Sequence, residues 1–184
     1  MSLDTAILID PSPAQPTAMT AQFAEKLIID GKSESLCTNP LSEYFALSGQ
    51  YFDFKSTSTA LWRGYVGTWE IVYDRLYLLA VHGELKNGQA VTLDLIFPGF
   101  PDRVFAHWYS GTLRIPQGGL IEYKHSGYSN IYEGDLLIQV ERGLVRCRWI
   151  RENQQPAADT HDNGYVIRSL TYLHLSEDEK RDGQ

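Results

Sequence analysis

The sequence predicts a mainly β fold, with a single antiparallel sheet and one short helix. We expect the sheet to be curved or rolled, like a sandwich or a barrel. Apolar and polar residues alternate with period two over most of residues 21–175, which is the pattern of half-buried strands. Short turns containing Gly separate these segments, and strands joined by such turns pair antiparallel. Of the 184 residues, 43% are apolar, enough for a core without disulfides or metals.

Local signals predict the first elements. A hairpin around Asp30-Gly31 joins KLII to the stretch near Leu36. A short helix follows, because Asn39 is a favourable N-cap residue and Pro40 suits the first helical position. The helix should end at Gly49. Its apolar residues at helical spacing are Leu41, Tyr44, Phe45 and Leu47.

Alternation and turn residues predict the remaining strands. From Tyr65 the odd positions share one face, and Asp74-Arg75 turns the chain into LYLLAV. Because Gly adopts positive φ at little cost, we expect further hairpin turns at Asn87-Gly88, Gly118-Gly119 and Arg142-Gly143. The later strands are predicted at Ala90–Phe97, Val104–Ile115, Leu120–His125, Ile131–Val140, Leu144–Arg151 and Tyr165–Leu175.

Composition divides the chain into one domain and two ends. Residues 1–20 are rich in Ser, Pro, Ala and Thr and predict a disordered segment, while the charged residues 176–184 predict a flexible tail. Residues 21–175 form the predicted domain, with a surface loop at 152–163. The sequence has neither a signal peptide nor a membrane-spanning apolar run, so we expect a cytoplasmic protein. Cys37 and Cys147 are then expected to be free thiols.

The charge balance bears on the kind of partner. Lys and Arg number 16 against 23 Asp and Glu, a net charge of −7, which argues against nucleic acid as a partner. A local exception is formed by four arginines, for which either cross-strand ion pairing or binding of an acidic partner is expected. They are Arg142, Arg146, Arg148 and Arg151.

The common signatures of catalysis and metal binding are missing. None of the five histidines forms an H-x-H or H-E-x-x-H pair, and neither cysteine lies in a C-x-x-C motif. The chain has no G-x-S-x-G elbow and no phosphate-binding G-x-x-x-x-G-K-(S/T) loop. We therefore predict no catalytic residue, no cofactor and no metal.

Two clusters of polar and aromatic residues are the candidate binding sites. The first contains His107 and Tyr109, and alternation places Trp108 on the opposite face. The second is the segment 123–133, in which Tyr and His stand among Gly, Ser and Asn, a composition typical of adaptable recognition surfaces. Alternatively, its tyrosines cap the end of the core. The candidate residues of this segment are Tyr123, His125, Tyr128, Asn130 and Glu133.

The chain resembles two groups of proteins. Segments starting at Tyr65, Tyr109 and Tyr132 fit Y-x-G-x-(W/L), a spacing similar to that of MORN repeats, which are stacked β-hairpins. The stretches TALWRGYVGTWEI, HWYSGTLRIPQGGLIEYKHSGY and IYEGDLLI resemble a group of uncharacterised bacterial proteins over roughly residues 25–150. The second resemblance implies a bacterial source, and it carries no activity, cofactor or catalytic residue to transfer.

Two functions from different classes are consistent with these observations. The first is a non-enzymatic protein-binding domain, such as an immunity-type or inhibitor protein that masks a basic partner, because an acidic surface steers association with a cationic one. The alternative is a small enzyme or ligand-binding β-barrel. Its pocket would be lined by His107, Tyr109, His125 and Glu133.

Overall fold

The computed structural model describes residues 20–153 and 170–173. Within these residues the chain forms nine strands and two short helices, and the mainly β prediction is confirmed. The strands are β1 (Glu25–Ile29), β2 (Lys32–Leu36), β3 (Tyr65–Val72), β4 (Arg75–Gly83), β5 (Val104–Phe105), β6 (Gly111–Glu122), β7 (Ile131–Glu141), β8 (Leu144–Glu152) and β9 (Leu170–Leu173). The helices are α1 (Pro40–Ser48) and α2 (Leu93–Ile96).

The strands form one sheet of mixed direction. Its order is β2-β1-β3-β4-β8-β7-β6, with β5 paired to β4 and β9 paired to β8. The prediction of a purely antiparallel sheet is wrong at one place, because β1 and β3 are parallel. The long connection 37–64, which contains α1, lets the chain return alongside β1 in the same direction. Period-two alternation does not report strand direction, so the sequence pattern missed this pair.

The sheet is rolled but does not close into a barrel. Strands β4 and β8 share a single residue pair, Arg75 with Leu144, which backbone hydrogen bonds from Leu76 to Gly143 and from Val145 to Asp74 (both 2.8 Å) flank. Its two outer strands approach each other where the Cys37 N–H donates to the Arg114 carbonyl (2.8 Å). The Arg114 N–H in turn donates to Thr38 Oγ1 (3.0 Å). Beyond this contact, the outer edges of β2 and β6 have no strand neighbour among the described residues.

Three hairpins use two-residue turns in which both residues have positive φ. The turns at Asp30-Gly31 and Arg142-Gly143 are confirmed, with φ of 51° and 73° in the first and 49° and 79° in the second. The predicted turn at Asp74-Arg75 lies one residue earlier, at Tyr73-Asp74. Such turns match the right-handed twist of the paired strands.

Two predicted strands and one predicted turn in the middle of the chain are wrong. Residues 93–96 of the predicted strand Ala90–Phe97 form α2, because Thr92 Oγ1 caps the helix by accepting from the Leu95 N–H (3.2 Å). Gly118-Gly119 is an irregularity inside β6, with a register shift against β7, and does not form a hairpin turn. Residues 106–110 separate β5 from β6, so the predicted strand Val104–Ile115 is interrupted.

Helix α1 is confirmed at both ends, with Pro40 as its first residue and Gly49 directly after its last. Gly49 ends it in the left-handed conformation (φ 66°), and its N–H donates to the Phe45 carbonyl (3.1 Å). Asn39 stands at the N-cap position as predicted, but its side chain makes no capping hydrogen bond. Instead, Asn39 Oδ1 accepts from the Tyr128 hydroxyl (2.7 Å).

The core lies inside the rolled sheet and below α1. Trp69 of β3 and Leu78 of β4 are fully buried at its centre. At one end, the Tyr44 ring of α1 lies 4.5 Å from Phe97 and 5.0 Å from Trp108, between ring centroids. Both cysteines of the chain are free, as predicted, and partly buried.

The resemblance to stacked hairpin repeats does not extend to the strand pairing. The segment starting at Tyr109 leads into β6 and the one starting at Tyr132 lies in β7. Because β6 and β7 pair with each other, these two segments belong to one hairpin.

The segment 1–19, the tail 176–184 and most of the predicted loop 152–163 lie outside the described residues. Of the predicted strand Tyr165–Leu175, residues 170–173 are described, and they form β9.

Candidate functional site

A groove opens between the free edges of β2 and β6. Its volume is about 290 Å³, near the lower end of the range for small-ligand pockets. Polar and apolar side chains both line it, and they come from parts of the chain that are far apart in sequence. The lining residues are Gln22, Phe23, Ala24, Glu34, Ser35, Cys37, Pro116, Gly118, Gly127, Tyr128, Asn130 and Tyr132.

The loop 123–130 closes one end of the groove. The Gln22 N–H donates to the Gly127 carbonyl (2.8 Å), which joins the loop to the chain before β1. The Tyr128 hydroxyl lies within hydrogen-bond distance of two acceptors, Asn39 Oδ1 (2.7 Å) and the Phe23 carbonyl (3.1 Å). Burial raises the pKa of Tyr128 to about 12, so the hydroxyl remains a neutral donor.

The side chain of Arg114 holds this loop from below. Its Nη1 donates to the Tyr128 carbonyl (2.5 Å) and its Nη2 to the Asn130 carbonyl (2.8 Å). Its Nε donates to Asp135 Oδ1 (2.7 Å), and the Asp135 carboxylate is fully buried. Arg151 Nη2 donates to the other oxygen of Asp135 (2.6 Å). A buried carboxylate between two arginines therefore fixes the groove wall.

The sequence analysis missed Arg114 and Asp135 as a unit. They come together because β6 and β7 pair with Pro116 opposite Asp135, which places Arg114 two residues along on the same face. The irregularity at Gly118-Gly119 sets this register, and the sequence suggested a hairpin turn there. The only signal of this ion pair in the sequence was the presence of an Arg and an Asp on neighbouring predicted strands.

Two of the candidate residues line the groove, and a third stands at its rim. Tyr128 and Asn130 line it. Glu133 is exposed, and its Oε2 accepts from the Gly119 N–H (2.9 Å). A Cβ on Gly118 would collide with the Glu133 carboxylate, so this carboxylate packs against the groove lining.

Tyr123 and His125 lie on the outer side of the same loop. Both are exposed, and their rings meet edge to face with centroids 4.7 Å apart. Of the other tyrosines of this segment, Tyr128 and Tyr132 both line the groove. Tyr123 remains half exposed (50%).

His107 and Tyr109 lie elsewhere in the molecule. His107 is exposed and meets Trp108 edge to face at 5.5 Å, while Tyr109 is a core residue, 2% exposed. The predicted alternation fails here because residues 106–110 lie outside the strands, with a turn at 107–108. These residues precede β6, and His125 follows it; the 12 residues of β6 span roughly 35–40 Å. The structure does not bring His107 and Tyr109 together with His125 and Glu133.

Glu34 is a groove residue that the sequence analysis did not single out. It lies in the polar β2 sequence KSESL, where it gives no motif signal. It takes part in none of the ion pairs found among the described residues. The groove therefore carries an uncompensated carboxylate at Glu34 and a second carboxylate at its rim, Glu133.

A buried acid–base pair lies behind the groove. Glu25 is 1% exposed; its Oε2 accepts from Trp69 Nε1 (2.5 Å), and its Oε1 lies 3.6 Å from Arg63 Nε. Burial raises the pKa of Glu25 to about 7, against the opposing effects of the Trp69 hydrogen bond and the Arg63 charge. Arg63 Nη2 donates to the Phe23 carbonyl (2.8 Å), the acceptor that Tyr128 also approaches. This pair therefore supports the groove from inside.

Comparisons with known proteins do not assign the chain to a family. No known protein family, no curated protein and no solved structure matches the chain. In the part of the chain that the structure describes, no helix is long and apolar enough to cross a bilayer. In the same part, no group of three or more His, Cys, Asp or Glu side chains could hold a metal ion.

Proposed function

We propose that this protein is a non-enzymatic protein-binding domain whose groove takes a basic side chain of a partner protein. The finer form of the proposal is an immunity-type or inhibitor protein that masks a basic partner in a bacterial cytoplasm. The observation that carries it is the combination of aromatic rings and the Glu34 carboxylate in one groove of about 290 Å³, with the Glu133 carboxylate packed against Gly118 of its lining.

The groove offers what a Lys or Arg side chain requires. Aromatic faces attract cations, and Phe23, Tyr128 and Tyr132 line the walls, with Phe23 60% exposed. Glu34 and the rim carboxylate of Glu133 supply negative charge close to these rings. A guanidinium or ammonium group in the groove would gain charge-assisted hydrogen bonds in addition to its contact with the rings.

The position of the groove also suits an extended peptide segment. It lies between β2 and β6, the outer strands of the main strand order, whose free edges can pair with an added strand. Pro116 removes one donor from the β6 edge, so pairing along β2 is favoured. The net charge of −7 steers a cationic partner towards the surface over longer distances.

Titration of the full chain with short peptides tests the proposal. The probe is an arginine-centred tetrapeptide, and the control peptide carries citrulline, which keeps the shape and removes the charge. We expect amide shifts at residues 22–24, 34–37 and 127–132 with the arginine peptide only. Glu34→Gln combined with Glu133→Gln should weaken binding about tenfold, since two charged acceptors are lost.

The matched control is Glu70→Gln, which removes an acidic charge from β3 outside the groove lining. It should leave the affinity unchanged. Equal binding of both peptides, or equal loss in all variants, would contradict the proposal. The masking function needs a second test, in which the protein captures its partner from lysate of the source cells. The captured protein must be basic, and the Glu34→Gln/Glu133→Gln variant must fail to capture it.

A further inference from the structure

We propose a second interaction surface, the arginine–aromatic surface, which binds paired carboxylates of an acidic protein segment. It consists of Arg75, Tyr77, Arg103, Phe105 and Arg142, around strands β4 and β5 and the turn between β7 and β8. It is separate from the groove and does not depend on the function proposed for it.

Two aromatic rings form the base of this surface. Tyr77 of β4 and Phe105 of β5 are directly paired across the strands, with ring centroids 5.6 Å apart. Arg103 places its Cζ 4.8 Å from the Tyr77 centroid, and Arg75 places its Cζ 5.9 Å from the Phe105 centroid. The result is a row in the order Arg103, Tyr77, Phe105, Arg75, in which each ring carries one guanidinium.

The third arginine comes from the turn beside Phe105. Gly143 lies so close that an added Cβ would be 2.8 Å from Phe105 Cε2. Its neighbour Arg142 is exposed, and its N–H donates to Ser110 Oγ (2.9 Å), which fixes the turn against the loop before β6. The backbone of Arg142 is therefore fixed next to Phe105, and Arg142 adds a third exposed arginine beside the row.

The three arginines lack acidic partners among the described residues. None of them takes part in the ion pairs found there, whereas the nearby acids Asp74 and Glu141 already pair with other arginines. Arg148 takes Asp74 at 3.7 Å, and Arg146 takes Glu141 at 2.9 Å. Of the arginine run noted in the sequence, Arg142 is thus the member left for an external acid.

The chemistry of the surface favours carboxylates. A guanidinium stacked on a ring keeps its planar donor edge free for bidentate contact, and the stacking limits the rotamer freedom lost on binding. Glu70 lies opposite Tyr77 on β3, and Asp102 precedes Arg103, so the surface is edged by negative charge. Separate Asp or Glu side chains can contact the arginines without approaching Glu70 and Asp102. A continuous phosphate backbone would have to pass close to these acids.

A protein segment fits better than nucleic acid. Arg103 lies 4.8 Å from the Tyr77 centroid and Arg75 5.9 Å from the Phe105 centroid, so a base that stacked on either ring would compete with a guanidinium. The acidic partner therefore presents two or three Asp or Glu side chains on one short segment.

Fluorescence anisotropy with a labelled Glu-Asp-Glu-Asp peptide tests this inference. The full chain should bind it, and the Gln-Asn-Gln-Asn peptide should not bind. Arg75→Gln and Arg103→Gln should each weaken binding about tenfold, since each removes one charge-assisted contact. The matched control Arg146→Gln removes an arginine already paired with Glu141 and should leave binding unchanged.

Three outcomes would overturn the inference. The first is no binding of the acidic peptide, and the second is an equal loss in the Arg146→Gln control. The third is tighter binding of a single-stranded oligonucleotide of matched charge, which would assign the surface to nucleic acid. Retained binding in Glu34→Gln, with circular dichroism showing folded variants, separates this surface from the groove.

Discussion

At the scale of single residues, the pair Glu25–Arg63 has the most direct consequence. The Glu25 carboxylate is enclosed: Trp69 Nε1 donates to Oε2 and the Gly67 backbone also hydrogen-bonds the carboxylate, whereas Oε1 has no hydrogen-bond partner among the described residues and lies 3.6 Å from Arg63 Nε. A buried ion pair without full hydrogen bonding recovers little of its desolvation cost. Because burial raises the pKa of Glu25 to about 7, the folded state binds this proton more tightly than the unfolded state does.

The first prediction concerns stability against pH. Between the ordinary pKa of 4.5 and the folded pKa of about 7, the folded state holds more protons, so the free energy of unfolding falls as pH rises. The contribution of Glu25 is fully present below pH 4.5 and is lost as pH rises through 7. It amounts to about 3 kcal/mol at most. Urea unfolding at pH 5 and pH 7.5 measures this loss.

Glu25→Gln should flatten the same pH dependence, because the amide cannot titrate and can still accept from Trp69. Glu70→Gln serves as the control and should keep the slope of the original chain. An identical slope in the Glu25→Gln variant would assign the effect to other groups.

A second prediction at this scale concerns Arg114. Its guanidinium makes three separate hydrogen bonds, to Asp135 and to the carbonyls of Tyr128 and Asn130. In Arg114→Lys the charge remains, but one ammonium cannot reach all three acceptors in the same geometry. We expect the amides of residues 124–130 to exchange with solvent at least tenfold faster, from a loss of about 1.4 kcal/mol of local stability. Hydrogen exchange in β3, unchanged between the two proteins, is the internal control.

At the scale of elements, the irregularity in β6 determines the register that the groove depends on. Gly118 has φ of 74°, a conformation that L-residues rarely adopt, and it packs against the Glu133 carboxylate. The break in pairing here allows β6 to continue to Glu122, and the loop that follows returns to Ala21 and Gln22. A local backbone feature thus positions residues that are far apart in sequence.

The third prediction compares two glycines of almost equal φ. Gly31→Ala has open space around its Cβ, so it should cost about 1–2 kcal/mol from backbone strain alone. Gly118→Ala carries the same strain and also displaces the Glu133 carboxylate from the Gly119 N–H. It should therefore cost about 1 kcal/mol more, the typical value of a hydrogen bond. Thermal unfolding of both variants measures the difference, and equal costs would show that the Glu133 contact contributes nothing.

At the scale of the whole molecule, the parts that could be predicted are those set by local chemistry. The hairpins at Asp30-Gly31 and Arg142-Gly143 followed from residues that tolerate positive φ, and α1 followed from Pro40 and Gly49. The alternation that identified β3 also misassigned residues 93–96, where Thr92 caps a helix instead. A local pattern cannot distinguish a strand from a short helix where the spacing of the apolar residues fits both.

The groove could be predicted only in part for a related reason. Tyr128 and Asn130 were found because their segment has the composition of a recognition loop. Phe23 and Glu34 were missed, because they reach the groove through the approach of β2 to β6 at Cys37 and Arg114. That approach depends on the curvature of the whole sheet, which cannot be predicted from the local sequence around Phe23 or Glu34.

Site-specific photocrosslinking in the source cells tests the central claim, that the groove binds a basic side chain of a protein partner. Benzoylphenylalanine replaces Phe23, which is 60% exposed in the groove, and in the control it replaces Tyr51, which is 83% exposed and outside the groove lining. We predict one partner crosslinked from Phe23 alone, with a Lys or Arg in the crosslinked peptide identified by mass spectrometry. No crosslink from Phe23, the same products from both positions, or a crosslinked peptide without a basic residue would contradict the account.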